Sequence, residues 1–235
     1  MPFGYLRGDV SARDSATGQL LIDPVSGNPI TSLTPGYLGN PNPDYKLGIT
    51  NTITYKNFFL SVLFDMTKGG DIYSTTVTTL LGRGVTKDTE DRQTGWVIPG
   101  IYGDPETGKA LLVGGKTVPN QTRITTNDLY FTTGGGGSFA INSASEWNVY
   151  DATVYRIREV GLGFNLPKSL IDKLPIGSAT FTVTGRNLWY LAPNFPKYTH
   201  FDPEVNSLGA GATQGIELSA APTTKRFGVN LKVTF

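Results

Sequence analysis

The sequence predicts an all-β protein, an antiparallel transmembrane β-barrel segment of about five strands, and three observations carry that reading. Helical periodicity is nearly absent. Five stretches alternate apolar and polar side chains over roughly the 9 to 11 residues that a tilted strand needs to cross a bilayer. The connections between those stretches are alternately short and long.

In the first stretch Leu47, Ile49, Ile53 and Tyr55 alternate with Gly48, Thr50, Thr52 and Thr54, and Asn51 is the one polar break on the apolar face. After a short Lys56-Asn57 turn, Phe58, Leu60, Val62, Phe64 and Met66 alternate with Ser61 and Asp65, while Phe59 and Leu63 spoil the polar face. In the third, Val160, Leu162, Phe164 and Leu166 alternate with Gly161, Gly163 and Asn165. Upstream, Tyr155 and Ile157 lie on the other parity, which predicts a bulge near Glu159. The fourth sets Ala179, Phe181 and Val183 against Thr180, Thr182, Thr184 and Arg186, ending in Trp189 and Tyr190. The fifth is unbroken: Phe227, Val229, Leu231, Val233 and Phe235 against Arg226, Gly228, Asn230, Lys232 and Thr234. Soluble strands run about 5 to 6 residues, so a stretch of this length points to a membrane. The one candidate helix, Lys168 to Leu174, is boxed between Pro167 and Pro175.

Short turns at Asn57 and Pro167 to Gly177 alternate with long connections from Thr67 to Thr153 and Leu191 to Thr224. Outer-membrane barrels have short periplasmic turns and long extracellular loops. Counting back from a last strand that descends to the periplasm puts both long connections outside. Aromatic residues near the strand ends (Tyr55, Phe58, Phe164, Trp189, Tyr190, Phe227, Phe235) suit two interfacial girdles. The alternative is a soluble secreted β-sandwich acting as a glycan-binding or adhesive module, its apolar face simply being its core. A connection as long as 67–153 is rare in a sandwich and favours the barrel.

Composition narrows the chemistry. With 20 Lys+Arg against 19 Asp+Glu the formal charge is +1, which implies no nucleic acid or other polyionic partner. The longest apolar run, Phe58 to Phe64, is interrupted by Ser61, so a transmembrane helix is excluded. No Cys and a single His200 leave no disulfide framework, thiolate site, Cys nucleophile or His pair for zinc, and neither a metal nor a cofactor is expected. Pro-Phe-Gly-Tyr-Leu-Arg after Met1 is no secretory signal and by itself would suggest the cytoplasm.

Several segments taken together resemble a known family. Gly39-Asn-Pro-Asn-Pro-Asp-Tyr45, Asn51-Thr-Ile-Thr-Tyr-Lys56, Phe64-Asp-Met-Thr-Lys-Gly-Gly-Asp-Ile-Tyr-Ser74 and Val149-Tyr-Asp-Ala-Thr-Val-Tyr-Arg-Ile-Arg-Glu-Val160 are similar to the C-terminal third of SusC/RagA-type TonB-linked outer-membrane transporters. Asn165-Leu-Pro167, Gly185-Arg-Asn-Leu188, Asp202-Pro-Glu204 and the closing Arg226 to Phe235 follow in the family's order. The resemblance implies a C-terminal fragment of a 22-stranded barrel, in the bacterial outer membrane, lacking signal peptide, TonB box and plug domain. It divides the chain into an extracellular loop region (1–45), a barrel hairpin (46–66), a long extracellular loop (67–153), a strand pair with a periplasmic turn (154–190), a second extracellular loop (191–224) and the terminal strand (225–235). The implied function is import of oligosaccharides or peptides with a SusD-like surface lipoprotein, energised by the TonB complex, and not enzymatic. The terminal strand with its last aromatic residue would be the signal read by the barrel-assembly machinery.

The site residues expected from this are modest. Trp96, Tyr102, Trp147 and Tyr150, aromatic and in long connections, are the candidates for substrate contact, since aromatic faces stack on sugar rings and pack against peptide side chains. Phe227, Val229, Leu231, Val233 and Phe235 are expected to face lipid and carry the assembly signal. Asp202 and Glu204, near His200, are expected to order their loop rather than work as acid and base. Arg7-Gly8-Asp9 is an integrin-type tripeptide in a Gly-rich turn region. Asp14-Ser-Ala-Thr-Gly18, Asp23-Pro-Val-Ser-Gly27 and Asp104-Pro-Glu-Thr-Gly108 read as turns rather than calcium loops, and Gly134 to Gly137 with Ser138 as a mobile linker.

Overall fold

The computed structural model describes residues 4–131, 144–173, 175–205, 207 and 214–235. The Gly134 to Ser138 stretch lies outside the described residues. Five long strands dominate: β1 (Pro43–Tyr55), β2 (Phe58–Gly69), β3 (Val154–Asn165), β4 (Ser178–Leu191) and β5 (Arg226–Thr234). They form one five-stranded sheet in which each strand pairs antiparallel with its neighbours in sequence. All the long connections therefore leave from one end of the sheet and the short ones from the other. At the short end Lys56 takes φ 51°, the positive φ that a primed two-residue hairpin turn demands.

The register aligns the alternating faces into rows. Leu231, Phe181, Phe164, Phe58 and Tyr55 run across all five strands on one face, and Val229, Val183, Leu162, Leu60 and Ile53 form the next row. On the opposite face the matching rows are Asn230, Thr182, Gly163, Phe59 and Thr54, then Gly228, Thr184, Gly161, Ser61 and Thr52. Apart from Phe59, the second set is small or polar.

A register shift between Ile157 and Glu159 marks the bulge expected there. It inserts one extra residue in β3 against β2, so Arg158 and Glu159 both serve the small-residue face. Without it, Val160, Leu162 and Phe164 would fall on the wrong side. Tyr190, expected in an aromatic girdle, instead pairs with Arg156 across the strands and shares the polar face. Strand alternation puts Trp189 outward and its neighbour inward.

The long segments pack together over one end of the sheet. One buried cluster joins Ile72, Val77, Leu81, Phe195 and Phe201, a second Ala12, Leu21, Ile30 and Ile101, and a third Ile22, Ile98, Ile124 and Leu129. Helix α1 (Thr75–Gly82) supplies Val77 and Leu81 and is capped by Ser74, whose Oγ accepts from the Val77 N–H. That helix is missed by periodicity, because its Thr- and Val-rich turns show little contrast between faces. Helix α2 (Thr126–Tyr130) starts with a capping box of Thr125 and Asp128. Short parallel pairings, Leu21–Ile22 with Ile101–Tyr102 and Ile216–Glu217 with Tyr73–Ser74, stitch distant parts of the chain. In the expected helical stretch, Lys168–Ile171 makes one helical turn.

Candidate functional site

The site lies where the polar face of the sheet meets the loop lobe. There Asp65 on β2 and Arg156 and Arg158 on β3 face the Asp202-Pro-Glu204 corner. Arg156, only 1% exposed, donates to both Asp202 carboxylate oxygens at 2.9 and 2.5 Å. Arg158 donates through Nε to Asp65 at 2.5 Å and through its two terminal nitrogens to Glu204 at 2.8 and 2.6 Å. Such forked pairs fix orientation as well as distance. Arg186 holds Glu159 at 2.8 Å one step lower.

Asp202 also accepts from the Thr223 hydroxyl, so the corner is tied back to its own segment. Burial pushes the Asp202 carboxyl up, but bonds from Arg156, Thr223 and the Glu204 N–H, with the charge of Arg156, outweigh it and hold the group below the usual range. Glu217 behaves likewise. It is fully buried and accepts from Ser74, the Thr76 N–H and hydroxyl, and the Ala220 N–H, which together overcome desolvation and keep its carboxyl low. Its carboxylate sits at the N-terminus of α1, where a negative charge is favoured.

Between the corner and the wall is an open cavity of about 430 Å³, with Asp65, Arg156 and Arg158 on one side and Pro203, Glu204 and Val205 on the other. Asp71 borders it. Burial raises that carboxyl; the Asn40 N–H opposes the rise, and Asp151 and Asp44 add to it. A second cavity of about 410 Å³ lies behind the corner, lined by Leu80, Tyr190, His200 and Phe201. The first is lined by ionised groups of both signs, and suits ligands that offer hydrogen bonds rather than bare apolar surface. Among the described residues, no group of His, Asp and Glu is arranged to hold a metal.

The aromatic candidates do not converge on this cavity. Tyr150 stacks on Phe195 at 5.0 Å and packs against the Ile72 cluster. The Tyr102 hydroxyl is engaged with Thr122, and Trp96, 40% exposed, forms a backbone bridge to Ile124. Trp147 is half-buried in a short 3-10 turn. In β5, Phe227, Val229 and Leu231 are exposed on the outer rows and Val233 is half-buried, with Phe235 exposed beyond the strand end. Arg7 and Gly8 lie in a strand paired with Gly36–Gly39. Thr17, Ser26 and Thr107 bond back to Asp14, Asp23 and Asp104, so those stretches are turns. Asp202 and Glu204 take arginines as partners, not His200. Sequence reasoning does not single out Arg156 and Arg158 as site residues, because nothing in Val-Tyr-Arg-Ile-Arg-Glu points to acids 46 residues further along the chain.

Over 223 residues, 93% of the chain, the sequence is 24% identical to TonB-dependent receptor P3 of Formosa agariphila, and over 203 residues it is 25% identical to TonB-dependent receptor P26 of the same organism. The chain is thus similar in sequence to TonB-dependent receptors. It spans 19% and 18% of the lengths of these two receptors. In fold it is similar to the RagAB peptide transporter, with a TM-score of 0.54, 16% identity and coverage of 98% of this chain and 23% of that one. The RagAB peptide importer in its open-open and closed-closed states matches with TM-scores of 0.52 and 0.51 at 17% and 18% identity, again over 98% of this chain and 22% and 23% of those. No family model matches. The proteins it resembles are receptors and a peptide transporter.

Proposed function

We propose that this chain forms the C-terminal part of the barrel wall of a TonB-dependent outer-membrane transporter that imports oligosaccharides or peptides together with a SusD-like lipoprotein. The observation that carries the reading is the outer face of the sheet. Ile53, Leu60, Leu162, Val183 and Val229 form a row across five strands and all are exposed. Among the described residues nothing packs over that face, as the partner sheet of a β-sandwich would. A contiguous apolar surface of this kind marks a membrane or a partner. Small polar side chains opposite it suit a lumen.

In this arrangement the lobe closes the extracellular end and the turns at Lys56 and 166–177 lie in the periplasm. The unpaired outer edges of β1 and β5 would bond to the remaining strands, since an open edge in lipid leaves unsatisfied backbone groups. The plug and the TonB contact would come from other parts of the protein, and β5 would be read by the barrel-assembly machinery. Deleting the complete gene and following uptake of labelled oligosaccharides and peptides tests this. Loss of uptake of one class, with the lipoprotein co-purifying from the parent strain, supports the reading. Unchanged uptake of both, and a product recovered in the soluble fraction, would favour the sandwich.

A further inference from the structure

The arginine pair has a feature that barrel closure does not require. A buried ion pair is usually no more stabilising than apolar side chains of similar volume, and its better-attested use is to specify one geometry. Here each arginine grips the segment after β4 through two parallel bonds, and Arg158 simultaneously grips Asp65 on the wall. The far end of the same segment is fixed separately, by Ile216–Glu217 pairing alongside Tyr73–Ser74 and by the Glu217 carboxylate at α1.

We propose that Arg156 and Arg158 are positioning residues that hold the Asp202-Pro-Glu204 corner as a fixed wall of the 430 Å³ cavity, so that its width stays constant while the transporter opens and closes. This rests on the sheet's polar face being the lumen side. The clamp gives a physical reason for the constant width: moving the corner would strand the Asp202 side chain, 4% exposed, opposite an arginine that is itself 1% exposed.

The test uses the complete receptor in detergent with nitroxides at Lys56→Cys, in the short turn, and Lys197→Cys, on the segment, both exposed and outside the clamp. Pulsed electron resonance should give one narrow distance distribution. Arg158→Met should broaden it, Glu204→Gln should broaden it too, and the double variant should broaden it by less than the sum of the two, because both remove the Arg158–Glu204 pair. Arg158→Lys, which keeps the charge, should recover part of the narrow peak. Should Arg158→Met not fold, Glu204→Gln, whose side chain is 42% exposed, carries the test alone. A distribution that stays narrow in Glu204→Gln, or is already broad in the parent, overturns the proposal. So do single effects that simply add. A receptor that imports neither ligand class yet keeps the clamp-dependent narrow peak would sink the transport reading and leave the clamp standing.

Discussion

The ring of Phe59 fills the space over Gly163, its direct cross-strand partner on the inner face: a Cβ at 163 would overlap the ring atoms. A residue that reads as a fault in the polar face of β2 is thus half of a fitted pair, with an aromatic ring covering backbone that glycine leaves bare.

Gly163→Val should therefore cost about 1 to 3 kcal/mol, the usual range for overpacking. The loss should show as a lower urea midpoint of the folded receptor. Phe59→Ala in the same background should recover much of it. An additive double variant would mean that the two side chains do not compete for space.

Arg156→Met leaves the Asp202 carboxylate buried without its main partner. Breaking a buried pair from one side costs about 3 to 5 kcal/mol. Proteolytic nicking next to the exposed Lys197 should become fast in this variant, and remain slow in Arg186→Met, whose pair with Glu159 is largely exposed. Equal resistance of the two variants would show that burial of the first pair is unimportant.

Acid should release the lobe late. Asp202 and Glu217 are both held below the ordinary carboxyl range, so their contribution is present above the unfolded pKa and is lost as the pH falls through the folded one. The mobility of a nitroxide at Lys197→Cys should stay flat down to about pH 4 and rise only below it. A rise centred near pH 6 would contradict the assignment.

Much of the sheet was legible because its physics is local. Phe227 to Phe235 show a period of two that only a strand produces, and the parity break between Ile157 and Val160 located the bulge without any partner strand. The site was legible only in half. Asp202 and Glu204 stood out as a pair of acids, but their arginines lie 46 residues earlier, and nothing in either segment announces the other. The lobe was harder still. Its cores are joined by strands such as Leu21–Ile22, too short to show a period. Tyr190 differs from the girdle expectation because an aromatic residue near a strand end does not say which face it takes, whereas parity with Trp189 does.

On the outer face, Leu162→Arg should impair assembly by about 2 to 4 kcal/mol if that row lies near the bilayer midplane, while Thr182→Arg, on an inner row, should be tolerated. The amount of heat-modifiable receptor in the outer membrane reads this directly. Equal loss from both would mean that the two faces do not differ in environment.

The account depends most on which face of the sheet meets lipid. A nitroxide placed in turn at each position from Phe227 to Thr234, in the complete receptor in vesicles, measures collision with oxygen, which concentrates in the bilayer, against a water-soluble nickel complex. The lipid-facing arrangement predicts a period of two, with oxygen dominating at Phe227, Val229, Leu231 and Val233 and lower at Gly228, Asn230 and Lys232. Uniform access to the nickel complex along β5, or the opposite phase, would contradict it.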